Sequence, residues 1–189
     1  RLSETVSEGT ELLEKYEFAR ACELMYHFAW DDLCDWYLEL SKEAFASGNA
    51  ESSKRVLGHV LDQLFRLMHP VMPFITEQMW TTLTGGESLV VASWPIANPA
   101  HLDTKAEKLV SELQEIITEV RRFRNDQGIK SSLKIPGRIV ATGEVANYAS
   151  AIAFVVRMEL ADITPSAKCE AAGVTIEFDL TGSIDVVAE

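Results

Sequence analysis

Two prolines three residues apart, in His69-Pro70-Val71-Met72-Pro73-Phe74-Ile75-Thr76-Glu77-Gln78-Met79-Trp80, constrain the fold of this chain more than any other stretch. Pro70 cannot continue a helix, whereas Pro73 suits the first turn of one, where a missing N–H costs nothing. Phe74, Ile75, Met79 and Trp80 then return at helical spacing. The sequence therefore predicts two antiparallel helices joined by a tight corner and packed through these side chains.

Four helices fit residues 1–84, and Gly85-Gly86 closes them with an unambiguous breaker pair. The first covers roughly residues 2–16. In the second, Phe18, Ala21, Cys22, Met25, Phe28, Ala29, Leu33, Trp36 and Leu40 recur at three-and-four spacing until Gly48-Asn49. The third buries Val56, Leu57, Val60, Leu61, Leu64, Leu67 and Met68 on one side, and the fourth runs from Pro73 to about Leu83. Beyond the glycines the pattern changes. Residues 89–92 read as a brief strand before Trp94-Pro95, and Val110, Leu113, Ile117 and Val120 restore helical period until about Gly128. Residues 134–141 read as a strand, 146–158 as an apolar helix, and 174–180 with 183–187 as an antiparallel pair about Thr181-Gly182. The expected fold is mainly α: an antiparallel helical bundle over residues 1–86, followed by a small α+β domain over residues 87–189.

The longest apolar run, residues 151–156, falls far short of the ~20 needed to span a bilayer, and Arg1 opens no charged-then-apolar leader. A cytoplasmic protein with no membrane partner is expected. Cys22, Cys34 and Cys169 are odd in number and widely spaced, which fits reduced, mostly buried thiols rather than disulfides or a zinc site. His27, His59, His69 and His101 lack metal-ligand spacing, and no Ser, His and Asp grouping suggests nucleophilic catalysis. No catalytic residue, metal or cofactor is expected in this chain. A formal charge of -12 excludes bulk electrostatic coating of nucleic acid. One local exception stands out: between residues 119 and 138, Arg121, Arg122, Arg124, Lys130, Lys134 and Arg138 face only Glu119 and Asp126, six bases against two acids for a net +4.

The proline corner resembles the helix pair in the anticodon-binding bundle of class I aminoacyl-tRNA synthetases. Tyr16-Glu17-Phe18-Ala19-Arg20-Ala21 and Phe28-Ala29-Trp30-Asp31-Asp32-Leu33-Cys34-Asp35-Trp36-Tyr37-Leu38-Glu39 resemble the corresponding helix of the valyl-tRNA synthetases. Glu119-Val120-Arg121-Arg122-Phe123-Arg124-Asn125, running into Gly128-Ile129-Lys130 and Lys134-Ile135, is similar to the segment following the bundle in the same enzymes. The chain departs at Ser131-Ser132, where family members commonly carry proline, and at Gln78-Met79, where they carry glutamate and leucine. The resemblance implies tRNA recognition in an enzyme that joins valine to tRNA(Val) using ATP and Mg. Both ATP-site signatures of that family are absent, so this chain alone is expected to be inactive, its catalytic domain and C-terminal coiled coil belonging to the missing parts of the same polypeptide. The alternatives are the equivalent region of an isoleucyl-, leucyl- or methionyl-tRNA synthetase, or a helical protein-interaction scaffold suggested by the acidic balance.

On this reading the candidate tRNA-binding residues are Arg121, Arg124, Lys130, Lys134, Trp30, Asp35 and Tyr37. Arg121 and Arg124, three apart, share a helix face and meet either the tRNA backbone or carboxylates of the bundle. Lys130 and Lys134 lie in the same basic island. Asp31, Asp35, Glu39 and Glu43 form an i, i+4 acidic series, paired either with Lys42, Arg20, Arg55 or Arg66, or, through Asp35, with the exocyclic amines of anticodon adenine and cytosine. Aromatic planes stack unpaired bases. Trp36 continues the apolar stripe of its helix, whereas Trp30 and Tyr37 fall off it and offer stacking surfaces, with Phe123 also available. Trp80 and Trp94 read as core and domain-interface anchors.

Overall fold

The proline corner folds as a latch between two helices. The computed structural model describes residues 1–48 and 50–181. In it α4 (Glu51–Met68) stops just before Pro70, and α5 (Pro73–Thr84) begins on Pro73. Thr76 Oγ1 donates to Met72 O at 2.8 Å and lies 2.8 Å from His69 Nδ1, tying both sides of the corner together. The packing differs from expectation. Phe74 is 90% exposed, and Ile75 and Met79 are also exposed; α5 instead buries Thr76 and Trp80. The Trp80 indole packs with Phe65 and Leu89 and donates to Asp62 Oδ1 at 2.6 Å. Arg66 Nε reaches the same carboxylate at 2.9 Å, and its guanidinium lies 5.4 Å from the Trp80 ring centroid. Burial pushes the Asp62 carboxyl up, but the bonds from Trp80 and Arg66 outweigh it and hold the carboxyl below its ordinary range. Gly85 caps α5 in the left-handed region at φ 69°, and a Cβ on Gly86 would sit 2.4 Å from the Trp80 ring.

The remaining bundle consists of α1 (Leu2–Glu14), α2 (Phe18–His27) and α3 (Glu39–Ala46). Between α2 and α3 the helix continues without a break but in π winding over Phe28–Leu38. Val6 and Leu12 of α1 pack on Ala21 and Met25 of α2 and Leu67 of α4. Phe28, Leu33 and Leu64 form a second cluster, into which Tyr37 packs. Tyr37, four residues after Leu33, shares its face and packs into this cluster, which an α-helical stripe built on Trp36 leaves off the core. Residues 89–92 form no strand. Leu89–Val91 is a 3₁₀ turn capped by the Ser88 hydroxyl, followed by a second such turn at Pro99–His101. This connection runs along α1, where Trp94 Nε1 donates to Thr10 Oγ1 at 2.9 Å and Ser3 Oγ to Asn98 O at 3.1 Å. The first unit accordingly spans Arg1–Asp103, past the Gly85-Gly86 pair, and the second begins at Thr104.

That second unit opens with α6 (Thr104–Asp126), whose buried face is Leu113, Ile116, Ile117, Val120 and Arg124. A four-stranded sheet follows, in the order β2-β1-β4-β3, from β1 (Ile135–Val140), β2 (Met158–Leu160), β3 (Ala167–Ala171) and β4 (Val174–Phe178). β1 pairs parallel with β2 and antiparallel with β4; β4 also pairs antiparallel with β3. The predicted helix 146–158 is shorter: a 3₁₀ turn, Gly143–Tyr148, leads into α7 (Ala149–Val155). Arg157 then turns the chain into β2 from the left-handed region, at φ 54°. The hairpin partner of β4 is β3; the strand expected at residues 183–187 lies outside the described residues. Ala172 and Gly173, both at positive φ, make its two-residue turn. Among the described residues no helix is long and apolar enough to cross a membrane.

Candidate nucleic-acid interface

In the first unit, the π-wound segment and the turn before it set out an aromatic step. Trp30, 55% exposed, stacks parallel to Tyr26, 56% exposed, with ring centroids 6.4 Å apart and planes within 3°. The two rings border an apolar cleft of about 390 Å³ floored by Met25, Ala29, Met68 and Met72. Asp35 is exposed, with no hydrogen-bond or ion-pair partner among the described residues. Its acidic neighbours are placed differently: Asp31 lies 2.7 Å from His27 Nδ1, and Glu39 pairs with Lys42. The other bases weighed as partners pair elsewhere, Arg20 with Glu17, Arg55 with Glu51 and Arg66 with Asp62. Tyr37 offers no free ring: it packs in the Phe28 cluster and its hydroxyl donates to Ser53 O at 3.0 Å. Phe123 is likewise covered, stacked on Phe178 at 4.8 Å.

In the second unit the basic island separates into arginines that are buried or held by carboxylates and cations that are exposed. Arg122 lies between Glu119 and Asp126, at 3.6 and 3.8 Å, and Arg138 is held by Glu177 at 2.6 Å and Asp162 at 3.5 Å. Arg124 is only 5% exposed. Its guanidinium donates to Leu133 O at 2.7 Å, Lys130 O at 3.0 Å and, more weakly, Arg157 O at 3.4 Å. Burial, with the Arg157 charge adding, pushes its pKa down from the ordinary value, though an arginine there stays a cation. The pairing of Arg121 and Arg124 on one phosphate is thereby corrected: Arg124 continues the buried stripe, four residues after Val120, and closes the turn at residues 130–133 from inside. Arg121 is exposed, as are Lys130 and Lys134.

Arg121 and Arg157 line one cleft of about 480 Å³, with Arg124 beneath them and Asn125 and Ser131 beside them. Arg157 lies inside the run 146–158, which the sequence alone predicts as one long helix, and so carries no site signal there beyond being a lone arginine that ends the apolar run 151–156. The i, i+4 spacing of Tyr26 to Trp30 is the sequence signal for this side-chain pair on one helix face. Neither Cys22 nor Cys34 is buried: Cys22 is intermediate and Cys34 exposed. Cys169 is partly buried, and burial together with the nearby Glu119 charge pushes its thiol up to about 11.

The profile of the anticodon-binding domain of tRNA ligase matches residues 1–139. The chain belongs to that family. It is similar to segments of much longer ligases. It is 46% identical to the valine–tRNA ligase of Nocardia farcinica over 199 aligned residues, covering 100% of this chain and 22% of that relative. The valine–tRNA ligases of Streptomyces avermitilis and Streptomyces coelicolor are 46% and 45% identical, again over 100% of this chain and 22% of theirs. The chain thus spans about a fifth of the length of the curated relatives it matches, and the resemblance to valyl enzymes holds along its whole length.

Proposed function

We propose that this chain is the anticodon-recognition module of a cytoplasmic valine–tRNA ligase, binding the anticodon stem-loop of tRNA(Val). The observation that carries the reading is the alignment of all 189 residues with valine–tRNA ligases at 45–46% identity. In the whole ligase, valine activation with ATP and Mg and transfer to the tRNA belong to a catalytic domain outside this chain. Within it, backbone contacts position the RNA and base contacts specify it. Arg121, Lys130 and Lys134 are the phosphate-facing cations. Trp30, stacked on Tyr26, receives an unpaired base, and Asp35 accepts from an exocyclic amine. The test is titration of the chain with valine and isoleucine anticodon hairpins at low and moderate salt. Preference for the valine hairpin, lost on Trp30→Ala with Asp35→Asn, supports the reading. Equal affinity for both hairpins overturns valine specificity, and no binding at low salt overturns RNA recognition by this chain.

A further inference from the structure

Three arginines line one cleft of a chain whose formal charge is -12, and the turn that carries Lys130 adjoins it. Arg121 stands on the α6 wall and Arg157 on the turn between α7 and β2; Arg124 lies beneath them, and Lys130 belongs to the adjoining turn. Among the described residues the Arg157 and Lys130 side chains have no hydrogen-bond or ion-pair partner, in contrast to Arg122 and Arg138, which carboxylates hold on both sides. Like charges gathered at one cleft raise the local positive potential, which favours an anion there.

The backbone fixes Arg157 at this place. Its carbonyl accepts from Ile135 N at 3.2 Å and from Arg124 at 3.4 Å, which holds the left-handed turn. At φ 54° a glycine or asparagine would be relaxed, whereas the residue present carries a guanidinium. The lining has two characters. Arginine, Asn125 and Ser131 supply donors, and Ile129, Val155 and Val156 supply an apolar side. A bare inorganic anion has no use for the apolar wall, but a ribose-phosphate unit presents charged oxygens on one side and a sugar face on the other. Planar guanidinium forks match phosphate oxygens two at a time.

We infer that the Arg121–Arg157 cleft seats a backbone phosphate and ribose of the bound tRNA, with Arg157 as a phosphate-binding residue. The inference rests on the anticodon-module reading above. Arg124 acts as a positioning residue, holding the turn that carries Lys130 and the carbonyl of Arg157 together. The cleft reads no base, and its contribution is to orientation and to salt sensitivity.

The experiment titrates the complete 189-residue chain and its Arg157→Gln variant with the valine anticodon hairpin across a salt series. Removing one phosphate contact predicts about a five- to eightfold loss of affinity at 0.1 M salt and a salt slope shallower by about 0.7–0.9. Arg157→Lys should restore the slope but not the full affinity, because the charge returns without the fork. Arg122→Gln, on carboxylate-paired charge, should leave both unchanged. In parallel, the side-chain Nε–H signals of labelled arginine are followed with the hairpin and with millimolar inorganic phosphate. Movement of the Arg121 and Arg157 signals with the hairpin supports the site. Movement with inorganic phosphate and not with the hairpin marks an adventitious ion only and overturns it. Hairpin binding that is unchanged in Arg157→Gln yet weakened by Trp30→Ala overturns the cleft while leaving the anticodon module standing; absence of binding by the unaltered chain removes both.

Discussion

Replacing Arg124 with methionine isolates what its buried guanidinium does for the fold. The substitution keeps much of the apolar length and flexible packing of the side chain and removes its donors. Two of the bonds lost, at 2.7 and 3.0 Å, are of normal length, and the third, at 3.4 Å, is long. Hydrogen bonds to charged groups contribute about 1.5–3 kcal/mol each, so the two good ones sum to about 3–6 kcal/mol. Release of a buried charge and of its repulsion with Arg157 offsets part of this, leaving a net loss of ~2–4 kcal/mol. The effect is local, on the turn and the first residues of β1. Hydrogen exchange reads it directly at the amides of Ile129, Leu133 and Ile135, which bond to Arg124 O, Lys130 O and Arg157 O. Their protection should fall roughly 30- to 1,000-fold, since each 1.4 kcal/mol is about a factor of ten. Arg124→Lys should fall between the two, because one ammonium cannot reach three carbonyls in the arginine geometry. Exchange within about threefold of the unaltered chain at all three amides would refute the reasoning, and a phosphate-binding role for Arg124 would return to consideration.

Tyr37→Phe removes the bond to Ser53 O and should lower the urea midpoint by the equivalent of about 1 kcal/mol, followed by tryptophan fluorescence. Asp62, whose folded carboxyl lies below its unfolded value near 3.8, contributes stability that is complete above that pH and is lost as pH falls through the lower folded value. Acid titration of unfolding should accordingly be flatter below pH 4 in Asp62→Asn, which is itself less stable at neutral pH. Trp30→Ala should weaken hairpin binding by about 5- to 150-fold, the equivalent of ~1–3 kcal/mol per stacked base, with little change in stability because the ring is exposed. Alkylation by iodoacetamide at pH 8 should modify exposed Cys34 first, while Cys169, its thiol pushed up to about 11, reacts far more slowly; mass mapping of the modified peptides decides the order.

Helix positions and the corner were legible because proline and glycine act through the backbone alone. Period was the harder signal. A stripe at three-and-four spacing identified the long second helix but not its π-wound middle, and it left out Tyr37, which joins the Phe28 cluster; no local composition marks that winding. Arg124 was legible in principle, since stepping four residues past Val120 places it inside, but its charge drew the reading toward the surface. The apolar side of α5 misled in the opposite sense. Phe74, Ile75 and Met79 follow helical spacing, yet the helix seats on Thr76 and Trp80 because the indole has a carboxylate to meet in α4. β3 carries no β-branched residue in Ala167–Ala171 and owes its strand to pairing with β4. The candidate site followed the same division: Trp30 and Arg121 could be named from their positions, whereas Arg157 joined the cleft only through a left-handed turn and a parallel strand pairing.

The strand order has a consequence for synthesis on the ribosome. β1 is a central strand, but the residues it meets on one side come much later: Gly137 pairs with Phe178 and Val140 with Thr175. At ~5–20 residues per second, about 2–8 s separate the making of one edge from that of its neighbour. The parallel pairing with β2 covers only the other side of β1 in the interval. For those seconds a nascent chain carries an unpaired strand edge beside apolar surface, so its yield in a cell depends on elongation speed and holding chaperones as well as on the stability of the finished sheet.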